Sequence, residues 1–379
     1  MEIPNHIYLD HNATTSMRPE AKNAVLSVLE TTGNPSSIHM HGRRARSILE
    51  QSRASIANFV NAANEDVIFT SGGTEANNLA LLGCNRTRKV VSAVEHSSIL
   101  NGGNHVIKVD KNGIIDFGCL EELLEERTST IVSVMLANNE TGVIQPIKEI
   151  ATLAHRYGAL IHCDAVQAAG KIPIDIVELG VDMLSLSAHK IGGLAGVGAL
   201  VAPGIANNID CDLRCILFGG GQERGYRSGT ENLAGIAGFS AAANAAQAGL
   251  NKFAELSVLR NYIDKSIKTL EPEVIILASD ADRLPNTSCV IMPGIDSDTQ
   301  VMAFDLAGVA VSAGSACSSG KTKFSHVLKA MGISEEISKN ALRVSLGWSS
   351  VKSDADVFIR AWQELYERLS LTKINLPAA

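Results

Sequence analysis

The strongest constraint on this chain is a change of character that recurs along it. Short apolar runs stop abruptly in polar side chains, a helical stretch follows, and the cycle begins again. Val67-Ile68-Phe69-Thr70 runs into Ser71-Gly72-Gly73-Thr74-Glu75, and Lys89 to Val94 ends at Glu95-His96-Ser97-Ser98. Ile131 to Ala137 stops at Asn138-Asn139-Glu140, and Ala159 to Cys163 meets Asp164 and Gln167. Met183-Leu184-Ser185-Leu186-Ser187 closes on Ala188-His189-Lys190 and turns through Gly192-Gly193. Continuous apolar strands alternating with helices build a mostly parallel sheet covered on both faces. Such a sheet gathers ligand-binding groups at one edge. The expected fold is therefore α/β, a large domain with a mostly parallel sheet flanked by helices.

The pattern changes near Lys252. A long amphipathic helix leads to strand-like runs at Val274 to Leu277 and Thr287 to Met292, with a last helix near Asp354 to Ser370. These read as a smaller C-terminal α/β domain. The expected division is an N-terminal segment, 1–14, packing with the small domain; a large domain, 15–251; and a small domain, 252–379. With Lys+Arg 33 against Asp+Glu 40 the net charge is −7, and no long basic cluster is present. That argues against nucleic acid and against an anionic membrane surface as partners. No basic-then-apolar start and no run of about 18 apolar residues is seen, so a cytoplasmic enzyme is expected. The cysteine count of 7 is odd and the residues are scattered, which fits reduced thiols without a zinc-like ligand set.

Several residues carry candidate chemistry. A lysine at a buried strand end, as Lys190 would be, is partly desolvated. Its amine is pushed toward the neutral form and suits Schiff-base chemistry with an aldehyde, unless it simply reaches solvent. The Gly72-Gly73-Thr74 turn before a helix offers free N–H groups to a phosphate, although neither a dinucleotide fingerprint nor a P-loop is present. Asp164 at a buried strand end needs a cationic or hydrogen-bonding partner. His96 either caps a helix or serves a site; Asn138 to Glu140 do turn chemistry or contact a ligand. The polar stretch from Gly33 through Asn34 to Ser37, with His39 and His41, either lines a site or caps the next helix. The loop Gly219 to Thr230 carries arginines and a threonine suited to anions. Arg343 inside a strand-like run needs an anionic partner, and a bidentate substrate carboxylate would serve. Cys289 sits in an apolar run, as a structural cysteine should. Cys317 instead lies in Gly314-Ser315-Ala316-Cys317-Ser318-Ser319-Gly320, a small, polar stretch that reads as a mobile loop presenting a thiol.

In their order, Ser71 to Asn78, Asn138-Asn139-Glu140, Asp164-Ala165-Val166-Gln167, Ser187-Ala188-His189-Lys190, Gln222 to Thr230 and Gly314 to Cys317 resemble the cysteine desulfurases. These are pyridoxal-phosphate-dependent transferases of fold type I, in the class-V aminotransferase family. The Cys317 stretch is similar to the long-loop branch that serves iron–sulfur cluster assembly. The resemblance implies catalytic roles for Lys190, Cys317 and His96. It implies that Lys190 holds pyridoxal 5′-phosphate, with Asp164 at the ring nitrogen and His96 stacked on the ring. Gln167 and Asn139 would lie near the ring hydroxyl, and Gly73, Thr74, Ser187 and His189 at the phosphate. Thr230 would reach the phosphate of the neighbouring subunit, so a homodimer is implied. Arg343, helped by Asn34 and Asn139, would bind the carboxylate of L-cysteine. Cys317 would take the sulfur as a persulfide and pass it to an acceptor or iron–sulfur scaffold protein, leaving L-alanine. No resident metal is implied, only a transient contact of Cys317 with an iron–sulfur cluster. One departure stands out: where many relatives carry Pro-Lys, this chain has Leu194-Ala195. Two other readings compete. Another fold-type I activity, transamination or selenocysteine lysis, is separated by the need for Cys317. A non-catalytic scaffold would lack the yellow colour of bound cofactor.

Overall fold

The computed structural model describes residues 6–126, 128–205, 213–314 and 324–374. In chain order its strands are β1 (Ile7–Tyr8), β2 (Val67–Thr70), β3 (Arg88–Ser92), β4 (His105–Ile107), β5 (Thr130–Met135), β6 (Leu160–Asp164), β7 (Met183–Ser187) and β8 (Gly198–Val201). There follow β9 (Ile275–Ile276), β10 (Thr287–Ile291), β11 (Val309–Ala310), β12 (Ser312–Ala313) and β13 (Ala341–Ser345).

Strands β2, β5, β6, β7 and β8 are buried at every position, as apolar runs covered on both faces must be. They join β3 and β4 in one sheet of order β2-β8-β7-β6-β5-β3-β4. Its pairings are parallel except at β8, which runs antiparallel to both neighbours. Alternate residues of β6 divide between the two faces: Ile161 and Cys163 join one apolar cluster, Leu160 the other. On the first face lie the helices Pro19–Leu29, Met40–Phe59 and Leu233–Ala248. The helix Gly73–Gly83 packs on the second through Ala76, Leu79 and Ala80. Because the strands are parallel, their carboxyl ends meet at one edge. There Thr70, Glu95-His96, Met135, Asp164 and Ser187 come together.

The second sheet, β12-β13-β10-β9, is antiparallel. Its core holds Phe304 stacked on Phe358 at 5.1 Å, with Trp362 beside them on the helix Lys352–Ile374. The amphipathic helix expected from Lys252 is broken at Glu255 into Leu250–Ala254 and Leu256–Leu270. The chain start belongs to this side: β1 pairs with β11, and Asp10 bridges to Ser345 at the end of β13. From there residues 11–15 cross to the edge of the large sheet. Among the described residues no helix is long and apolar enough to cross a membrane.

Candidate active site

The edge of the large sheet surrounds a cavity of about 230 Å³. Each wall comes from the stop of one apolar run. The turn after β2 gives Gly73 and Thr74, and the turn after β3 gives His96 and Ser98. The segment after β5 gives Ala137 and Asn139, the end of β6 gives Asp164, Val166 and Gln167, and β7 gives Ser187, His189 and Lys190.

Asp164 lies at the back of the cavity, 6% exposed. Its Oδ2 accepts from Asn77 Nδ2 at 2.7 Å and its Oδ1 from the Val166 N–H at 2.9 Å. Burial raises its pKa; those two bonds and the nearby His96 and Lys190 oppose the rise without cancelling it. A buried carboxylate so placed favours a further cation in the cavity. Glu95, fully buried behind it, accepts from the Met135 N–H at 2.7 Å, and burial with the Asp164 charge lifts its pKa well above the usual range.

His96 caps the short helix Ser97–Leu100, with Nδ1 2.8 Å from Ser98 Oγ, and also lines the cavity, so both readings of this residue hold geometrically. Burial depresses its pKa, Lys190 and His326 adding to the effect against Asp164. His189 is lowered to about 4 by burial and then by Lys190, and its Nδ1 lies 3.2 Å from Thr14 Oγ1. Lys190 is half-buried; its Nζ donates to the main-chain oxygens of Asn12 at 2.6 Å and Ala13 at 2.7 Å. The Asn138–Glu140 alternatives divide. Asn138 Oδ1 accepts from the N–H groups of Glu140 and Thr141, which is turn chemistry, while Asn139 faces the cavity.

The amino end of the helix Gly73–Gly83 opens on the cavity. Its first N–H groups have no intrahelical acceptor and carry the positive end of the dipole. Any Cβ at Gly73 would stand 2.7 Å from Val166 Cγ2, and one at Gly198 would stand 2.6 Å from the Gly72 carbonyl carbon. Glycine at both places lets the turn close down over β8. Arg227 holds Glu75 at 2.9 Å and ties the Gly219–Thr230 loop to the start of this helix. Deeper, Glu223 accepts from both terminal nitrogens of Arg53, at 2.7 and 2.8 Å, and from the Phe69 N–H.

Three expected residues do not line this cavity, and of these Thr230 is expected at a neighbouring subunit's site. Asn34 is exposed in a turn, its Oδ1 accepting from the Ser36 N–H, and His39 caps the following helix, so this stretch takes the capping alternative. Thr230 is exposed and lines a separate hollow with Ser71 and Arg227. Arg343, 1% exposed on β13, stands behind Asn139. Its Nη1 donates to the Asn139 oxygen at 3.0 Å and its Nη2 to Asp10 Oδ1 at 2.6 Å, so the anionic partner it needs is Asp10 within the chain. Cys317 lies outside the described residues. Cys289 is fully buried and its thiol is pushed up to about 12 by burial, the Glu140 charge adding to it. Leu194 and Ala195 lie in the β7–β8 turn, Ala195 exposed.

Sequence reasoning missed Asn77, Asn12 and Lys171. Asn77 faces the site one turn into its helix. Asn12 and Lys171 are buried among residues far away in sequence. The spacing Gln167 to Lys171, four apart after a buried strand, was the available signal for the last.

A carboxylate that favours a cation, a helix terminus that favours a phosphate and an amine line one cavity of an α/β fold, an arrangement able to hold a phosphorylated aldehyde with a protonated ring. The residues present fit pyridoxal phosphate. The chain belongs to the aminotransferase class-V family, whose profile matches residues 7–358. It is 39% identical over 381 residues to a cysteine desulfurase of Cereibacter sphaeroides, covering 96% of both chains. It is 37% identical over 384 residues to cysteine desulfurase IscS of Dictyoglomus turgidum, covering 97% of this chain and 96% of that one. The crystal structure of a NifS-like protein from Rickettsia africae superimposes with a TM-score of 0.88 at 37% identity, covering 96% of this chain and 99% of that one.

Proposed function

We propose that this chain is a pyridoxal-phosphate-dependent cysteine desulfurase. It converts L-cysteine to L-alanine and passes the sulfur to an acceptor for iron–sulfur cluster assembly. The observation that carries the reading is the convergence of Lys190, Asp164 and the Gly73–Gly83 helix terminus on one cavity, in a chain more than a third identical to named cysteine desulfurases.

In this reading Lys190 would hold the cofactor covalently, the Asp164 carboxylate would keep a proton on the ring nitrogen, and Gly73, Thr74, Ser187 and His189 would take the phosphate. His96, Asn139 and Gln167 line the same cavity, where His96 and Asn139 would flank the ring and the Gln167 amide would meet its hydroxyl. Bound there, the cofactor supplies an electron sink for charge that develops at the substrate α-carbon. Once the amine of L-cysteine has taken its place on the cofactor, the freed Lys190 Nζ would take the α-proton, and the main-chain oxygens of Asn12 and Ala13 would orient the amine. Arg343, braced by Asp10 and Asn139, draws the substrate carboxylate toward the cavity. The Cys317 thiolate attacks the substrate sulfur: an S–S bond forms, the C–S bond breaks, and the β-carbon gains a proton. L-cysteine and a cysteine thiol thus become L-alanine and a persulfide.

Further parts of the reading have separate support. A homodimer fits Thr230 standing exposed outside the cavity, and Phe218, an aromatic side chain 84% exposed, on the same loop region, where the Ser228 N–H donates to the Leu217 oxygen. Domains at 15–251 and 252–379, with 1–14 lying against the second, fit the separate apolar clusters of the two sheets. Odd, scattered cysteines fit the cytoplasm. The test is incubation with L-cysteine, measuring alanine and mapping a persulfide to Cys317. A Cys317→Ala protein that kept full sulfur release would overturn the proposal.

A further inference from the structure

One buried cation at the site has no task in the chemistry above. Lys171 is 5% exposed and touches Gln167, which lines the cavity, without lining the cavity itself. Its Nζ donates to Gln167 Oε1 and to Asn12 Oδ1, each at 2.8 Å. An ammonium has donors only, so the atoms facing it must be the oxygens of both amides. The other end of Gln167 then has a fixed role. Its Nε2 donates to the Asn12 main-chain oxygen at 2.9 Å, leaving a second N–H on a residue that lines the cavity. Asn12 is held in the same sense: Asn286 also donates to its Oδ1, and its own Nδ2 donates to Asn139 O and Thr287 Oγ1.

We propose that Lys171 is a positioning residue that locks the Gln167 amide with its N–H end, not its oxygen, toward the cavity. The site is thereby committed to a hydrogen-bond acceptor at that point, as an oxyanion on the cofactor ring would be. This rests on the cofactor reading above. The charged and titratable groups around Lys171 are Lys190, Arg343 and His11. Burial and then the two cations hold the amine well below its ordinary pKa. Two N–H bonds satisfy both amide oxygens, so the arrangement survives loss of the third proton.

The test uses the protein loaded with pyridoxal phosphate, comparing wild type, Lys171→Met, Gln167→Ala and the double variant. Three quantities are read: cofactor dissociation constant, pH midpoint of the bound chromophore's absorbance, and melting temperature of the cofactor-free protein. Losing the donor toward the ring oxygen favours the protonated chromophore, so Lys171→Met should raise the midpoint. It should also weaken retention about tenfold, as for one buried hydrogen bond. In the Gln167→Ala background both effects should largely vanish. Equal effects in both backgrounds would show that Lys171 acts by charge alone and would overturn the proposal. So would an unchanged midpoint and retention, or a change confined to melting temperature. If Lys171→Met does not fold, Lys171→Gln serves: weaker retention that disappears in the Gln167→Ala background supports the proposal, and unchanged retention overturns it. A wild-type protein that shows no chromophore with added pyridoxal phosphate would instead refute the cofactor reading itself.

Discussion

Glu140 offers the sharpest physical test of the interior. It is fully buried, and Ser325 Oγ donates to its Oε2 at 2.5 Å. Burial raises its pKa from 4.5 to about 7, against the pull of that bond and of Arg343. An unfolded chain releases this proton near 4.5 while the folded chain keeps it until about 7. Across that window the folded state binds the extra proton, so its stability falls as pH rises and then levels off. At about 1.4 kcal/mol per pH unit, the loss between pH 5 and pH 8 is roughly 2–3 kcal/mol. Glu140→Gln has the same shape and nothing to ionise. Buried histidines such as His11, His162 and His189 titrate equally in both proteins and cancel in the comparison. The assay is urea unfolding of cofactor-free wild type and Glu140→Gln at both pH values. The variant should gain on wild type by that amount from pH 5 to pH 8. A stability difference that is the same at both values, or that shrinks, would refute the placement of an ionisable Glu140 in this interior.

Other expectations follow from single contacts. Asp10→Asn keeps an oxygen for Arg343 but removes the charge; it should cost about 1–2 kcal/mol in thermal unfolding and lower KM for L-cysteine as the guanidinium is less neutralised. Glu223→Gln leaves the buried Arg53 guanidinium with the partly exposed Glu50 as its carboxylate partner, and should cost about 2–3 kcal/mol by denaturant midpoint, less than the loss of an isolated buried pair. Gly73→Ala should loosen pyridoxal phosphate, measured by dialysis, and Val166→Ala should restore part of it because the clash is with that valine. Native alkylation with mass mapping should leave Cys84, Cys163 and Cys289 unlabelled, as all three are buried.

What could be read from the sequence was whatever is written locally. The stop of an apolar run announces a strand end, so Asp164, Ser187 and Lys190 were found without knowledge of their neighbours. Val94 extended an expected strand that ends at Ser92, because an apolar residue looks alike whether it pairs in a sheet or packs between sheets, as Val94 does. The polar loop at Asn34 has the composition of a ligand loop and the geometry of a turn. Nothing at Glu255, neither glycine nor proline, marks the helix break there. Partners were the hidden part. Arg343 demanded an anion, but that it is Asp10, 333 residues away, comes only from folding. Asn12 and Lys171 reach the site through amides 155 to 159 residues apart.

The crossing of residues 10–15 between the two sheets has a consequence for how the protein is made. The Asn12 N–H is held by Ser345 Oγ, 333 positions later in the chain. At roughly 5–20 residues per second a ribosome needs roughly 15–70 s between them. The large sheet can form while synthesis continues, and Gln167, Lys171 and Lys190 can already engage Asn12, but the bond from the Asn12 N–H to Ser345 waits until β13 has emerged. The last ties on the segment that faces the reactive lysine, those from Asn286, Thr287 and Ser345, therefore form late in the chain's biogenesis, although that segment is among the first translated.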